Sequence, residues 1–143
     1  MRRWRVVADV LIVDDDEDIL EALAELLASE GHHVSLAHDG IEGLKCLDGE
    51  HVDLILLDVE MPRLTGPEMA YEIFVRDAGN ERIPIVLLSG KLGLDRVAKA
   101  IGTPYFLPKP STADQLCASI QRALTERTPP HPSLPAPDAH AGA

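Results

Sequence analysis

The sequence is poor in positive charge. Its 143 residues carry 13 Lys+Arg against 24 Asp+Glu, which gives a formal net charge of −11 at pH 7. Because contacts to a nucleic-acid backbone require clustered basic residues, this balance argues against a nucleic-acid-binding surface. The few arginines around Trp4 do not change that conclusion, and we interpret residues 1–7 as a solvated N-terminal arm.

Cysteine and long apolar runs are also scarce. Cys46 and Cys117 lie far apart, in helical patterns and without a CxxC spacing, so we expect both to be reduced and partly buried. No run approaches the roughly 20 apolar residues that a membrane-spanning helix needs, and no signal peptide precedes the first apolar run. These absences predict a cytoplasmic protein without membrane insertion. A chain of this length suits one domain with a single functional site.

Five short apolar runs alternate with helical patterns along the chain. The runs are Ala8–Val13, His33–Ala37, Asp53–Asp58, Ile83–Leu88 and Tyr105–Leu107. Each has the length of a strand, and strands that alternate with helices predict right-handed crossovers. We therefore predict an α/β domain over residues 8–127, a doubly wound five-stranded parallel sheet with five helices. Residues 128–143 form a Pro/Ala-rich tail that we expect to be disordered.

The helical segments have recognisable beginnings and apolar faces. Asp16 is predicted to cap the first helix, Gly31 to end it, and Asp39 to cap the second. A fourth helix is predicted over Leu94–Ile101. The residues predicted to face the core from the second, third and last helices are Ile41, Leu44 and Leu47; Met69, Ile73 and Phe74; and Leu116, Ile120 and Leu124.

Polar side chains follow four of the predicted strands at their carboxyl ends, the edge where open α/β sheets bind ligands. They are Asp14, Asp15, Asp58, Ser89 and Lys109. Three crowded carboxylates repel one another by up to about 4 kcal/mol per close pair at an effective dielectric constant of about 20, and fold stability does not require that cost. A hard divalent cation such as Mg²⁺ would offset it. The lack of His or Cys at these strand ends disfavours Zn²⁺.

This set of residues suits phosphoryl transfer to a carboxylate. A cation would shield Asp58 from an incoming phosphoryl group, Lys109 adds a second positive charge, and Ser89 offers a hydrogen bond. We predict that Asp58 attacks phosphorus and forms an aspartyl phosphate. Each residue alone could be a helix cap, a turn residue or a surface charge, but their joint appearance at strand ends favours the site.

Four motifs, in this order and spacing, resemble those of the response-regulator receiver domain of two-component signalling. They are Val13-Asp14-Asp15-Asp16, Leu57-Asp58-Val59-Glu60-Met61-Pro62 with Gly66, Leu88-Ser89-Gly90 and Phe106-Leu107-Pro108-Lys109-Pro110. The resemblance covers roughly Ala8 to Arg127 and implies the flavodoxin-like fold with strand order 2-1-3-4-5.

The resemblance also implies the role of each site residue. Asp58 is then the phospho-acceptor, and Mg²⁺, with Mn²⁺ as a substitute, is bound by Asp14, Asp15, Asp58 and the backbone carbonyl of Glu60. Lys109 is then the lysine that pairs with the phosphoryl group.

Two further features follow from the same resemblance. Ser89 then supplies the switch hydroxyl, and Phe106 stands where the family keeps a rotating aromatic. Glu60 and Lys91 follow Asp58 and Ser89 by two residues, where the family is thought to gate water, so they could pair across the site and slow hydrolysis.

The function implied is that of a signalling switch and not of an enzyme, since the domain catalyses only its own phosphorylation and dephosphorylation. The phosphoryl group would come from a sensor histidine kinase or a histidine phosphotransfer protein. It would remodel the face of the fourth helix, fifth strand and fifth helix for a protein partner, in a monomer or a phosphorylation-linked dimer.

Several alternatives remain open. The short polar tail suggests a stand-alone receiver, although the chain could equally be a receiver fragment of a larger protein. It could act on a target, pass phosphate along a relay or serve as a phosphate sink. A haloacid-dehalogenase-like phosphohydrolase is disfavoured, because that family wants its nucleophile after the first strand and an Asp two residues on, whereas Asp58 ends the third strand and is followed by Glu60.

Overall fold

The computed structural model of the chain describes residues 6–58, 83–90, 98–99, 102–109 and 111–129. The helices and strands follow one another in the order β1 (Asp9–Val13), α1 (Glu17–Ser29), β2 (His33–Ala37), α2 (Gly40–Gly49), β3 (Leu54–Asp58), β4 (Ile85–Ser89), β5 (Tyr105–Pro108) and α3 (Ala113–Glu126). All neighbouring strands pair in parallel, in the order β2-β1-β3-β4-β5. The predicted fold class and strand order are confirmed, and α3 is the helix predicted as the fifth.

The central strand β3 is buried over its whole length. Because successive side chains of a strand point to opposite faces, its aliphatic residues alternate between two cores. Ile55 and Leu57 face the core that α2 covers, whereas Leu54 and Leu56 face the core that α1 and α3 cover. This two-sided burial explains why β3 reads as an unbroken apolar run that ends on Asp58.

The helix ends follow the predicted capping residues. The Asp16 side chain accepts from the amides of Asp18 and Ile19 at the start of α1, and Asp39 accepts from Glu42 at the start of α2. Gly31, just beyond α1, has φ of 97°, a left-handed conformation that glycine adopts at little cost. The predicted caps and the stop at Gly31 are confirmed.

The apolar faces agree with the prediction in α3 but not fully in α2. Leu116, Ile120 and Leu124 of α3 are all buried. In α2, Leu44 and Leu47 pack on the core, but Ile41 is 38% exposed. The prediction for Ile41 is therefore wrong, because this residue of the first turn stays partly open to solvent, whereas Leu44 and Leu47 further along the helix reach the core.

Some predicted features lie outside the described residues. The predicted third helix, with Met69, Ile73 and Phe74, is one of them. Of the predicted fourth helix, Leu94–Ile101, the structure describes only residues 98–99, which are helical. Cys46 and Cys117 form no disulfide and are partly buried, as predicted. Within the described part of the chain, no helix combines the length and apolarity needed to cross a membrane.

Candidate functional site

Three carboxylates meet at the carboxyl edge of the sheet. Asp14 directly follows β1 and Asp58 ends β3, and the register of these neighbouring strands sets Val13 beside Leu57. Asp14 is 1% exposed and Asp58 is 4% exposed, whereas Asp15 is open to solvent. One oxygen from each of the three carboxylates lies within 4.8 Å of the others. The chain therefore places three carboxylates close together, and water can reach two of them only poorly.

Lys109 holds the two buried carboxylates together. Its Nζ lies 3.2 Å from Asp14 Oδ2 and 3.3 Å from Asp58 Oδ1. Partial burial alone would lower the pKa of Lys109, but the charges of Asp58 and Asp14 outweigh it and raise that pKa above its ordinary value. The ammonium group therefore stays charged at neutral pH and offsets part of the repulsion between the acids.

The backbone around the site orients these side chains. Asp14 Oδ1 accepts a hydrogen bond from the amide of Asp16 at 2.9 Å, and the Asp14 amide donates to the carbonyl of Ala37 at 3.1 Å. The amide of Lys109 donates to the carbonyl of Ser89 at 2.9 Å. The acids after β1 and the lysine after β5 are therefore anchored by main-chain bonds as well as by their mutual attraction.

The remaining predicted site residues are Ser89, Phe106, Glu60 and Lys91. Ser89 ends β4, is 1% exposed and pairs in register with Pro108 on β5. The carboxyl edge thus brings Ser89 together with Lys109 and the acids. Phe106 lies on β5 and is 39% exposed, so its ring is available for repacking. Glu60 and Lys91 lie outside the described residues.

The donor set of this acidic cluster fits a hard cation. Asp14, Asp15 and Asp58 offer only carboxylate oxygens, and two of the three are buried. Mg²⁺ is commonly held by one or two carboxylates, with water completing its octahedral shell, and the exposed side of Asp15 leaves room for water. These three residues are the ones that would hold such an ion.

Comparison with known proteins decides the family. Residues 10–121 match the response regulator receiver domain. The chain belongs to this family. The receiver domain is 39% identical over 123 residues to the response regulator MprA of Mycobacterium avium strain 104, which covers 85% of this chain and 52% of the relative. MprA of Mycobacterium tuberculosis strain H37Rv matches to the same extent. The chain thus spans about half the length of these relatives.

Solved structures agree with this assignment. A response regulator receiver domain protein from Clostridium thermocellum superposes with a TM-score of 0.75 at 29% identity, covering 84% of this chain and 96% of that one. The response regulator TrrA of Thermotoga maritima, solved in complex with Mg²⁺ and BeF, gives a TM-score of 0.72 at 30% identity, covering 80% of this chain and 97% of that one.

Sequence reasoning missed two polar clusters of the receiver domain. His38, which follows β2, lies with its Nε2 2.7 Å from Glu17 Oε1 and its Nδ1 3.0 Å from Glu42 Oε1. The second cluster lies at the amino edge of the sheet, where Asp9 begins β1 and His33 begins β2. The signal for the second one was present in the sequence, since charged residues stand at the starts of strands as well as at their ends.

Proposed function

We propose that this receiver domain is a phosphorylation-dependent switch of a two-component pathway, with Asp58 as its phospho-acceptor. The observation that carries the proposal is the contact of Lys109 with both buried carboxylates, Asp14 and Asp58, beside the exposed Asp15. A fold needs no such group of like charges in its interior, whereas transfer of a phosphoryl group to a carboxylate needs fixed positive charge close to the acceptor.

The chemistry follows from the positions of the side chains. Asp58 attacks the phosphorus of a phosphohistidine, the bond from phosphorus to the imidazole nitrogen breaks, and the histidine side chain leaves. Asp14, Asp15, Asp58 and the carbonyl of Glu60 would hold Mg²⁺, which would supply neutralising charge. Lys109 pairs with the transferred group on Asp58.

The output would come from repacking beyond the acceptor. A phosphoryl group adds about −1.5 to −2 charges and three strong acceptors at Asp58. Ser89 and Lys109 are drawn toward these oxygens, and Phe106 moves inward to fill the space next to Ser89. Two charge-assisted hydrogen bonds of about 1.5–3 kcal/mol each are sufficient for such a population shift. The face built from the predicted fourth helix, β5 and α3 then presents a different surface to a downstream protein.

An apolar groove beside the site supports a protein as phosphodonor. The groove has a volume of about 570 Å³, and its wall includes Ile19 and Leu23 of α1, Leu116 of α3, Leu88 of β4 and Lys109. A small-molecule donor has no use for such a surface, but the apolar side chains of a histidine kinase or a histidine phosphotransfer protein do. These donors act in the cytoplasm, where we place this domain. The same contacts would serve a relay intermediate or a phosphate sink.

The test is Mg²⁺-dependent labelling by acetyl phosphate, with one phosphoryl group expected per chain. Asp58→Asn should abolish labelling, because the amide is a poor nucleophile. Asp18→Asn is the matched control, since Asp18 is an exposed acid in the first turn of α1 at the same edge. Equal labelling of the Asp58→Asn protein would show that the acceptor is assigned wrongly. Repeated turnover of p-nitrophenyl phosphate would instead favour a phosphohydrolase.

A further inference from the structure

A second cluster of ionisable side chains lies at the amino edge of the sheet, at the opposite end of the strands from Asp58. Asp9 begins β1 and His33 begins β2, and these two residues pair in register. Asp53 precedes β3, and its amide donates to the Asp9 carbonyl at 2.8 Å. His51 lies two residues before Asp53. Because β1 runs between β2 and β3, Asp9 is flanked by a ligand-type side chain on either side.

The spacing of these groups is close to that of a metal-binding site. His51 Nε2 lies 2.9 Å from Asp53 Oδ1 and 4.0 Å from Asp9 Oδ2, and His33 Nδ1 lies 3.3 Å from Asp9 Oδ1. A tetrahedral zinc ion with bonds of about 2.0–2.1 Å sets neighbouring ligand atoms roughly 3.3 Å apart. The observed distances lie on both sides of that value. One ligand atom each from Asp9, His51 and Asp53 lies within 4.8 Å of the others, and His33 lies outside this group, in contact with Asp9.

A cavity provides room beside the cluster. It has a volume of about 260 Å³ and is lined by Asp9, His33 and Asp53 together with Val7, Ala8 and Gly31. Three of these lining residues carry ligand-type side chains, and Gly31 belongs to the turn after α1. An ion with one or two water ligands fits this space.

The electrostatics of this edge favour a cation. The chain enters β2 from the carboxyl end of α1, and β3 from the carboxyl end of α2, so both helices direct the negative ends of their dipoles to this edge. Neither helix has a basic residue in its last turn. Arg127 supplies a positive charge, with its Nη1 3.6 Å from Asp53 Oδ1, and would compete with a bound ion.

We propose that His51, Asp9 and Asp53 form a binding site for a divalent transition-metal ion, with Zn²⁺ as the best match, and that the exposed His33 side chain rotates in from its contact with Asp9 as the fourth ligand. Two imidazoles and two carboxylates suit Zn²⁺, whereas the oxygen-only cluster at Asp58 suits Mg²⁺. The bound ion would join the starts of three strands. The two edges of the sheet would then bind ions of different classes.

The test is calorimetric titration of the full chain with Zn²⁺ in excess Mg²⁺, which occupies the acidic cluster at the carboxyl edge. We expect one tight Zn²⁺ site in the wild-type protein. In a His33→Ala/His51→Ala double variant the affinity should fall by more than about tenfold, the loss that follows removal of even an outer-shell partner of a metal ligand. Both histidine side chains are well exposed, at 89% and 60%, so the variant should fold.

Matched controls separate this site from other zinc-binding groups. His38→Ala removes an exposed histidine at the opposite edge and should leave the affinity unchanged. Arg127→Ala should raise it, because a competing cation is lost. Asp58→Asn should bind Zn²⁺ as the wild type does, whatever its effect on phosphorylation. Absence of a tight site in the wild type, or wild-type affinity in the double variant, would overturn the proposal.

Discussion

At the scale of single residues, Lys109 is the positive charge that stabilises the acidic site. Asp14 and Asp58 are both buried, and their contact with one ammonium group replaces part of the water that an exposed carboxylate would have. A bound divalent ion supplies the same kind of stabilisation. Lys109 and a bound divalent ion would therefore stabilise the same two carboxylates. Without Lys109, the stability of the protein would depend more on the ion.

Replacement of Lys109 by methionine tests this dependence. In the presence of EDTA we expect the free energy of unfolding to fall by about 1–3 kcal/mol, because two buried charges lose a partner. Mg²⁺ should recover more stability in the variant than in the wild type, since its competitor is gone. Urea unfolding with and without Mg²⁺ measures both effects. Lys45→Met, at an exposed position of α2, is the control, and equal stability of wild type and Lys109→Met in EDTA would contradict this role.

At the scale of elements, His38 connects α1 to α2. Each of its ring nitrogens faces a carboxylate, Glu17 from α1 and Glu42 from α2, and a carboxylate only accepts hydrogen bonds. Both bonds therefore require the doubly protonated ring. The hydrogen bond to Glu17, followed by that to Glu42, raises the pKa of His38 above its ordinary value of 6.5.

This connection predicts a dependence of stability on pH. The stabilisation is fully present below the unfolded pKa of about 6.5 and is lost as the pH rises through the higher folded pKa. Wild type should therefore lose stability relative to His38→Gln as the pH rises above about 6.5, as followed by urea unfolding at a series of pH values. A Glu17→Gln/Glu42→Gln variant should lose the same pH dependence. If wild type and His38→Gln keep a constant stability difference across this pH series, the hydrogen bonds of His38 to Glu17 and Glu42 contribute nothing to stability.

The strands and the acidic site could largely be predicted from the sequence. An apolar run that stops at a carboxylate marks the end of a buried strand, and parallel connections bring such ends to one edge. The contacts at the amino edge were missed because they depend on strand register, which pairs Asp9 with His33 and cannot be read from either segment alone. Ile41 was misplaced because periodicity marks the apolar face of a helix but not which of its turns contacts the core. The gate between Glu60 and Lys91 stays a prediction.

At the scale of the whole molecule, the fold consists of two apolar cores on either side of one sheet. The strand β3 contributes to both and lies between β1 and β4. Its carboxyl end carries Asp58, so a strand that is buried over its whole length also holds the proposed acceptor. Packing of β3 therefore supports the acceptor in addition to the contact of Asp58 with Lys109.

A pair of leucine substitutions tests this distribution of stability. Leu56 on β3 is 1% exposed, whereas Leu36 on the edge strand β2 is 41% exposed. We expect Leu56→Ala to lower the free energy of unfolding by about 2–5 kcal/mol, a large part of the 5–15 kcal/mol typical of a domain, because it leaves a cavity. Leu36→Ala should change it by only about 0.5 kcal/mol. Urea unfolding followed by circular dichroism gives both values, and similar losses would mean that β3 is not the centre of stability.

The two contacts of Lys109 also affect how the proposed switch would return to its unphosphorylated state. A lysine ammonium group has three N–H donors, and within the described part of the chain Asp14 and Asp58 receive two of them. The third can meet a phosphoryl oxygen while the bond to Asp14 persists. Arrival and loss of the phosphoryl group would then shift the lysine ammonium group without breaking its bond to Asp14. We expect successive cycles of phosphorylation to begin from the same side-chain geometry, so that the switch responds to its present input and not to its history.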